Sequence, residues 1–325
     1  KGSGSIHGFL EGGGVLPIAV LTCNRVEMLD ATLANLLLVR GVKKEWIVIV
    51  QDGGLQGIVE VAKKYDIKLI QNKQGLSLRG GVPSDGGSRI ATHYKYALSR
   101  SFDYAFPGVI VVEDDLLFSP DFYEYFAATA PVLEYDKSLF IISSWNDNGL
   151  KGKVRNNFGL KRTEFFPGLG WFLTRELYKG ELEKSWPTNH WDHWLRSPTV
   201  HKGREILYPE VPRTFHNGIK GTFMNMETHN RYFRDIGYNK DADVSWKLPI
   251  HPRSGSGSVT GSRSSGKQVV ILPNQADSHQ YLNSPPYISA IKDIYIAGVI
   301  ERFQKCTPIK SSSDLYEVLL SKGKN

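Results

Sequence analysis

Three adjacent carboxylates, Glu113, Asp114 and Asp115, follow the apolar run VIVV in a chain that is otherwise basic. An isolated acidic triplet is often a solvated turn, and that interpretation stays open at this point. Mg²⁺ and Mn²⁺, however, are typically bound by one or two carboxylates together with substrate phosphates. Because the triplet directly ends a predicted buried strand, it suits a site for a metal ion and a diphosphate.

The elements that would position the triplet alternate between strand and helix patterns, which is typical of an α/β sheet with helices on its faces. Strands are predicted over 15–22, 45–52, 67–72 and 108–112, and helices over 55–65 and 89–102. Repeated strand–helix–strand units indicate a mainly parallel sheet. Since ligands bind at the carboxyl ends of the strands in such sheets, the acids stand at the expected place.

Segments rich in glycine, serine and proline mark loops and boundaries. Residues 75–88 are predicted to form a loop. Ser119 and Pro120 are predicted to be the N-cap and the first residue of the helix that continues over 121–133. Composition predicts four parts of the chain: a stem remnant or added linker (1–14), a catalytic domain (15–250), a flexible linker (251–267) and a small C-terminal extension (268–325).

The composition is that of a globular protein of 325 residues, with 41% apolar and 22% charged residues. The net charge of +7 favours anionic ligands, but the basic residues are spread along the chain, so nucleic acid is not an expected partner. Two cysteines exclude a disulfide-dense scaffold. No stretch reaches the roughly 18 apolar residues that would span a bilayer, and no Asn-x-Ser/Thr sequon is present.

Several motifs follow the triplet in a fixed order: SSWNDNG, RTEFFPGLGWFL, ELEKSWP, WDHWLR and KGREILYPEVPRTFHNG. Together with VVEDDLLFSPDFYEYF, this ordered set strongly resembles the β-1,2-N-acetylglucosaminyltransferase family that contains N-acetylglucosaminyltransferase I and the protein O-linked-mannose enzyme. The resemblance covers roughly residues 15–240. It implies the GT-A fold, which has a Rossmann-like, mainly parallel sheet flanked by helices.

The resemblance also divides the work within the triplet. It implies that Asp115 is the direct protein ligand of Mn²⁺, with Mg²⁺ as a possible substitute, and that the donor is UDP-GlcNAc. Asp114 would contact the ribose and Glu113 the transferred sugar. The metal shell would be completed by the donor's diphosphate and by water.

Three more residues match positions that hold the nucleotide in this family. Arg25, in TCNR, and Asp52, in QDGG, would hold the uridine end, since a carboxylate can accept from the uracil imide and Arg can pair with phosphate. His93 would be another nucleotide contact. On local sequence alone, Arg25 is compatible with a surface residue, Asp52 with a turn and His93 with a structural position in a helix.

The catalytic base implied by the resemblance is Asp192, in NHWDHWLR. A carboxylate there would take the proton of the acceptor hydroxyl as that oxygen attacks the anomeric carbon. The flanking Trp191 and Trp194 could exclude water. Local sequence is equally compatible with Asp192 capping a helix in an aromatic core, and His193 is a weaker alternative base because adjacent side chains point differently.

Glycines in FFPGLGWF allow close approach of the backbone, and Leu169 is a candidate apolar wall of the sugar site. Trp191 is a candidate sugar contact, although most large aromatic residues are core residues. The segment 219–230 corresponds to the loop that orders over bound donor in the family, and is termed the lid segment. Gly53 stands where N-acetylglucosaminyltransferase I has a cysteine, so Cys23 is expected to be a free thiol.

The sequence therefore predicts a metal-dependent, inverting transferase that moves GlcNAc from UDP-GlcNAc to the 2-hydroxyl of a mannose-containing glycan or glycopeptide. The alternatives are a same-fold transferase with another UDP-sugar or acceptor, and an inactive glycan-binding module. A nicotinamide-dependent oxidoreductase is disfavoured because no G-x-G-x-x-G follows the first strand. The family implies a Golgi membrane protein with a lumenal catalytic domain and an N-terminal anchor outside this sequence; a cytosolic enzyme is the alternative.

Overall fold

The computed structural model describes residues 5–73, 86–103 and 106–246, together with the backbone of 261–262. The strands are β1 (Ile18–Thr22), β2 (Ile47–Asp52), β3 (Lys68–Asn72), β4 (Gly108–Glu113), β5 (Leu116–Phe118), β6 (Leu139–Ser143), β7 (Leu160–Thr163), β8 (Trp171–Thr174), β9 (Glu205–Pro209), β10 (Thr214–His216), β11 (Ser245–Trp246) and β12 (Gly261–Ser262).

The α-helices within the described residues are α1 (Ile6–Glu11), α2 (Val26–Leu36), α3 (Gln56–Tyr65), α4 (Gly86–Ser101), α5 (Phe122–Thr129), α6 (Val132–Tyr135), α7 (Arg175–Leu177), α8 (Trp191–Leu195), α9 (Pro198–His201) and α10 (Met226–Tyr232). A 3-10 turn covers Lys44–Trp46 and a π-helical turn covers Tyr178–Leu182. Within the described part of the chain, no helix is both long and apolar enough to span a membrane.

The central sheet has the strand order β3–β2–β1–β4–β8–β6–β9–β7. Its first four strands are parallel, β6 and β9 are parallel to each other, and β8 and β7 run antiparallel to their neighbours. The predicted α/β class and mainly parallel sheet are thus confirmed. A separate antiparallel pair joins β5 to β10 and opposes Leu116 to His216.

Successive residues of the parallel strands face opposite layers of the core, as the two-residue period of a strand requires. In β1, Ile18 and Val20 belong to the apolar cluster that includes Leu29 and Leu33 of α2. Ala19, the residue between them, belongs to the cluster on the other face, which includes α4. The sheet is therefore covered on both faces, and its carboxyl edge remains for the loops that carry polar residues.

Two sequence-based boundaries were wrong. The loop predicted over 75–88 ends by Gly86, where α4 begins; residues 74–85 lie outside the described residues. The helix predicted to begin at Ser119 and Pro120 begins at Phe122. Its continuation breaks at Pro131, the N-cap of α6, because proline has no backbone N–H to donate within a helix.

The predicted linker and extension, 251–267 and 268–325, lie outside the described residues apart from 261–262. The segment 1–14, predicted to precede the catalytic domain, contributes α1. Ile6 of this helix is 2% exposed and packs in the main apolar cluster.

A fully buried ion pair joins Arg213, in the segment between β9 and β10, to Asp121 at the start of α5. Arg213 Nε donates to Asp121 Oδ2 at 2.7 Å, and both side chains are completely buried. Trp246 Nε1 and Asn239 Nδ2 also donate to this carboxylate, each at 2.8 Å. The guanidinium lies 5.6 Å from the Trp246 ring centroid. Asp121 is thus saturated by long-range partners, which explains why it does not cap α5 through its side chain.

Removing Arg213 should strongly destabilise the fold, because it leaves a buried carboxylate without its counter-charge. We expect Arg213→Met to lower the free energy of unfolding by about 3–5 kcal/mol, measured by urea titration. The matched control is Arg234→Ala, whose pair with Asp235 is on the surface and should cost less than about 1 kcal/mol. Equal losses in the two variants would show that the buried pair has no special role.

Candidate active site at the carboxyl edge of the sheet

The acidic triplet lies at the carboxyl end of β4, in the middle of the sheet. Glu113 is the last residue of the strand, and Asp114 and Asp115 form the turn into β5. Asp114 is only 1% exposed and Asp115 3%. The solvated-turn interpretation is therefore wrong, and the burial of these charges requires specific partners.

Arg25 supplies the counter-charge for two of the three acids. Its guanidinium donates to Asp114, and its Nη1 donates to Asp115 Oδ2 at 2.6 Å. Burial by itself would lower the pKa of Arg25, but the charges of Asp115 and Asp114 outweigh it and raise that pKa. Thr22 Oγ1 donates a further hydrogen bond to Asp114 at 2.6 Å. Arg25, which the sequence predicted to hold the uridine end of the donor, thus contacts Asp114 and Asp115 directly.

Glu113 is held apart from this ion pair by Tyr94, whose hydroxyl donates to Glu113 Oε1 at 2.5 Å. Burial, reinforced by the charge of Asp115, raises the pKa of Glu113 to about 7. Burial also raises the pKa of Asp114 to about 6, against the opposing effect of Arg25. The triplet therefore contains carboxyl groups whose protonation changes near neutral pH.

Asp115 is the acid with a free coordination position. Its Oδ1 atom is buried and has no hydrogen-bond partner, while the Nε2 atom of His216 lies 3.5 Å from its Oδ2. Burial lowers the pKa of His216, which favours the neutral imidazole that binds metals. A Cβ on Gly218 would come within 2.6 Å of Asp115 Oδ2, so the backbone approaches too closely for any other residue.

These donors fit a hard or borderline divalent cation. The unbonded Oδ1 of Asp115 and the imidazole of His216, whose Nε2 lies 3.5 Å from Oδ2 of the same carboxylate, are donor types that such an ion would accept. The remaining positions would be open to phosphate oxygens and water. Among residues 5–73, 86–103 and 106–246, no group of three or more His, Cys, Asp or Glu side chains could hold a metal ion.

His216 was missed by the sequence reasoning, although it lies in the motif RTFHNG. Only the antiparallel pairing of β10 with β5, which opposes His216 to Leu116, brings its ring to the residue after Asp114. The signal that could have found it is the periodicity of this short second sheet. That signal is weak over three residues per strand.

The predicted nucleotide contacts lie on β2 and α4. Asp52 ends β2 before Gly53, which has φ +99°, and its Oδ2 is 3.8 Å from Arg89 Nη2. His93 is 7% exposed, with Nε2 3.1 Å from the carbonyl oxygen of Val50. Burial lowers the pKa of His93, although the nearby Asp52 opposes that effect. His93 therefore supports the strand that presents Asp52.

Cys23 directly follows β1 and is a free thiol, as expected. Burial is the main cause that raises the pKa of this thiol, and the charges of Asp52 and, more weakly, Asp114 raise it further. The charges of Asp52 and of Asp114 thus both act on this one thiol. The structure accordingly brings Asp52 and the triplet to the same region of the sheet edge.

Trp191 belongs to a stack of aromatic rings rather than to an open platform. Its ring centroid is 3.9 Å from that of Tyr94, with 26° between the planes, and it also stacks on Trp171 and Trp186. It is only 8% exposed. Little of the ring remains for a sugar, so its most evident role is to hold Tyr94 and the start of α8.

Asp192 follows in the first turn of α8, whose N-cap is His190 and not Asp192. The helix-cap alternative for Asp192 is therefore wrong. Its side chain is 34% exposed, and its Oδ2 accepts from Arg196 Nη1 at 2.9 Å; His193 is farther, at 3.8 Å. One oxygen of the carboxylate is thus fixed by Arg196, while the group still reaches solvent.

Tyr94 connects the two acidic centres. Burial raises the pKa of its hydroxyl, and the charges of Glu113, Asp115 and Asp192 all act in the same direction. Tyr94 contacts Glu113 through its hydroxyl and Trp191, the residue before Asp192, through its ring. The residues implied for sugar recognition, metal binding and proton transfer lie within electrostatic reach of a common point.

Leu169 lies in a turn of three consecutive residues with positive φ: Gly168 (+70°), Leu169 (+52°) and Gly170 (+98°). A non-glycine residue in this region costs on the order of 1 kcal/mol or more. Thr214 Oγ1 holds the turn by donating to the Leu169 carbonyl at 2.6 Å, and a Cβ on Gly170 would come within 2.4 Å of Ser144 Oγ. Arg196, which is bonded to Asp192, donates to the carbonyl of Phe166, two residues before this turn.

The lid segment begins directly beside the acids. Arg25 Nη1 donates to the carbonyl of Lys220 at 3.4 Å, and a Cβ on Gly86 would come within 2.3 Å of the Thr222 methyl group. The ring of Phe223 is 6.3 Å from that of His190, the N-cap of α8, and Phe223 is 66% exposed. The segment therefore runs from the triplet to the helix that carries Asp192.

Protonation of Glu113 should stabilise the protein without added metal at mildly acidic pH. Its folded pKa of about 7 exceeds the ordinary 4.5, so the folded state binds more protons than the unfolded state between these values. As pH rises through this window, wild type should lose stability relative to Glu113→Gln, by at most about 3 kcal/mol.

Urea titrations across that window, with EDTA present, would measure the difference. The exposed Glu27→Gln on α2 is the matched control, and its stability difference from wild type should stay constant. A constant difference for Glu113→Gln as well would contradict the assignment of a raised pKa to this carboxyl.

Comparison with known proteins places this site in a family. The GNT-I family model matches residues 10–248. Over 249 residues the chain is 37% identical to an Arabidopsis thaliana protein, alpha-1,3-mannosyl-glycoprotein 2-beta-N-acetylglucosaminyltransferase, covering 73% of this chain and 55% of the relative. The chain thus spans about half the length of that relative.

Solved structures match more distantly. S. aureus TarS 1-349 in complex with UDP-GlcNAc has a TM-score of 0.40 and 12% identity, covering 63% of this chain and 60% of that one. Mannosyltransferase PcManGT from Pyrobaculum calidifontis, in complex with GDP-Man and Mn2+, has a TM-score of 0.38 and 14% identity, covering 61% and 58%. These two similarities are too low to carry an argument about this chain. The family match, by contrast, includes Arg25, the acidic triplet and Asp192, and the chain belongs to the GNT-I family.

Proposed function

We propose that this protein is a metal-dependent, inverting glycosyltransferase that moves GlcNAc from UDP-GlcNAc, in β-1,2 linkage, to a mannose-type acceptor on a glycan. The observation that carries the proposal is that Tyr94 donates to Glu113 and stacks on Trp191, which begins the helix that carries Asp192, in a chain of the GNT-I family. The name of the Arabidopsis relative describes this transfer for that protein. The acceptor would be an N-glycan or an O-mannosyl glycopeptide.

On the donor side, Asp115 would hold Mn²⁺ or Mg²⁺, with His216 beside it. When bound, such an ion orients a diphosphate and stabilises the charge of the leaving UDP. Arg25 already compensates two of the acids, so a cation entering alone would meet a guanidinium. We therefore expect the metal and the diphosphate to bind together, because the phosphate charge offsets the added cation.

The remaining donor contacts follow from the positions of the other residues. Asp114 would contact the ribose and Glu113 the transferred sugar. Asp52, at the end of β2, would hold the uridine, with His93 supporting it from α4. Arg25 would reach the diphosphate from its place beside the triplet.

On the acceptor side, Asp192 would take the proton from the mannose 2-hydroxyl. As that oxygen forms its bond to the anomeric carbon, the bond from this carbon to the diphosphate oxygen breaks, and UDP leaves with the electron pair on the opposite face. Arg196 fixes Oδ2 of Asp192, which leaves Oδ1 to accept the proton. Leu169 and the exposed edge of Trp191 would contact sugar.

Two further proposals concern organisation and place. We assign 15–250 to the catalytic domain, 251–267 to a linker rich in glycine and serine, and 268–325 to a small C-terminal extension. A Golgi location, with the catalytic domain in the lumen, is proposed from family membership alone.

Asp192→Asn should abolish transfer while leaving donor binding intact, because an amide cannot take the proton. We expect turnover to fall by about 10²–10⁴-fold, measured as UDP release with a mannose-bearing acceptor, and unchanged affinity for UDP-GlcNAc by calorimetry. Asp66→Asn, on an exposed turn, is the matched control. A glycan-binding module without catalysis would show glycan affinity but no turnover even in wild type.

Asp115→Ala and Glu113→Ala should have different effects, because the first residue would bind the metal and the second the sugar. With Mn²⁺ present, Asp115→Ala should abolish binding of both UDP and UDP-GlcNAc. Glu113→Ala should retain UDP and lose the additional affinity for UDP-GlcNAc. Calorimetry with the two ligands decides between them, and equal losses for both variants would contradict the division of labour.

The donor and the acceptor can be determined in one screen. Purified protein with Mn²⁺ is offered a panel of UDP-sugars with a mannose-bearing N-glycan, an O-mannosyl peptide and simple mannosides. Turnover with UDP-GlcNAc alone would support the proposal. Preference for another UDP-sugar would favour the alternative, a same-fold transferase, because sugar identity depends on a few pocket contacts.

A further inference from the structure

A pocket of about 390 Å³, one of whose lining residues contacts Arg196, has no role in the donor site described above. Its walls are the loop 146–148 that follows β6, the segment 163–167 that follows β7, and Tyr208 of β9. This volume falls in the range of small-molecule sites. Its position and its lining both bear on the acceptor.

Arg196 joins this pocket to the candidate base. Its Nη1 donates to Asp192 Oδ2 at 2.9 Å, and its Nε donates to the carbonyl of Phe166 at 3.0 Å. The guanidinium carbon lies 4.3 Å from the ring centroid of Phe165, which lines the pocket. One side chain therefore contacts both the base and the pocket wall. A ligand in the pocket would therefore be connected to Asp192 through two contacts, those of Phe165 with Arg196 and of Arg196 with Asp192.

The lining has the chemistry of a site for a neutral sugar. Phe165 offers an aromatic ring that is 51% exposed, and sugar rings can pack their C–H faces against such a surface. Asp147, Asn148 and Tyr208 supply a carboxylate, an amide and a phenol for hydroxyl groups. Trp145 Nε1 donates to Asp147 Oδ1 at 3.0 Å, which orients the carboxylate.

The same lining disfavours an anionic ligand. The residues that line the pocket include one acid and no lysine or arginine, so a phosphate or nucleotide would face Asp147 with no cation in the pocket wall itself. Arg196 is engaged by Asp192 and by the Phe166 carbonyl. An uncharged ligand with several hydroxyl groups avoids this repulsion and could form hydrogen bonds with Asp147, Asn148 and Tyr208.

We propose that the Phe165 pocket is an acceptor subsite that binds a neutral sugar residue adjoining the mannose whose hydroxyl is attacked. The inference rests on the proposed transferase function. The attacked mannose would place its 2-hydroxyl at Asp192 while its neighbour packs on Phe165 and bonds to Asp147. Acceptors longer than one sugar would thereby be favoured over simple mannosides.

The test compares two acceptors, methyl α-mannoside and an α-linked mannotriose, at constant UDP-GlcNAc and Mn²⁺. Phe165→Ala and Asp147→Asn should lower kcat/KM for mannotriose by about tenfold, with little change for methyl α-mannoside. Donor hydrolysis without acceptor should also be unchanged. The matched controls are Tyr135→Ala, an aromatic residue of similar exposure at 49%, and the exposed Asp66→Asn.

A parallel loss for both acceptors would overturn the proposal, because it would place the pocket residues in the support of Asp192 and not in sugar binding. Variants that match their controls would also overturn it. Saturation-transfer NMR of mannotriose gives a readout independent of turnover: a signal in wild type that Phe165→Ala removes supports the pocket even if no UDP-sugar is used. Absence of that signal in wild type counts against the pocket alone, since transfer from UDP-GlcNAc is scored separately.

Discussion

The arrangement of the site depends on the compensation of buried negative charge by Arg25. Two adjacent aspartates are almost completely removed from water at the end of β4, and unpaired carboxylates in that position would be too costly to keep ionised. Arg25 reaches both from the loop after β1, because β1 and β4 are neighbouring parallel strands that end at the same edge. The parallel sheet thus buries the two aspartates at its carboxyl edge and also places the compensating Arg25 at that edge.

This compensation leaves the acids unequal. Asp114 is bonded on both oxygens, by Arg25 and Thr22, whereas Asp115 keeps a buried oxygen without a partner. Glu113 is bonded to the neutral phenol of Tyr94 and has a raised pKa. Three adjacent carboxyl groups therefore differ in their surroundings: Asp114 is bonded to Arg25 and Thr22, Asp115 keeps an oxygen for a metal ion, and Glu113 is bonded to a phenol.

The stack of aromatic rings connects the acidic triplet to the helix that carries Asp192. Tyr94 holds Glu113 with its hydroxyl and Trp191 with its ring, and Trp191 begins the helix that carries Asp192. Rigid rings restrict the distance between the two carboxylate centres more tightly than flexible side chains would. Arg196, at the C-terminal end of that helix, contacts both Asp192 and Phe165. The acidic triplet, Asp192 and the Phe165 pocket are thus linked by successive side-chain contacts.

The sequence by itself determined the α/β class, the mainly parallel sheet and the location of the triplet at a strand's carboxyl end. Those features depend on local periodicity and on strand direction, which are written in consecutive residues. The ordered motifs also identified the family, because the order of motifs can be read from the sequence without knowing which side chains meet in the fold. The predicted start of α5 at Ser119 and Pro120 was wrong: the helix begins at Phe122, and its N-cap position is Asp121, whose carboxylate is bonded to Arg213, Asn239 and Trp246.

Only the tertiary structure decided which side chains meet. His216 reaches Asp115 through the pairing of β5 with β10, and Trp191 is buried in a ring stack although its sequence suggested a sugar platform. The Phe165 pocket joins three segments that are far apart in the chain. Such contacts arise from long-range packing, in which each side chain's surroundings are supplied by other elements. No window of consecutive residues contains that information.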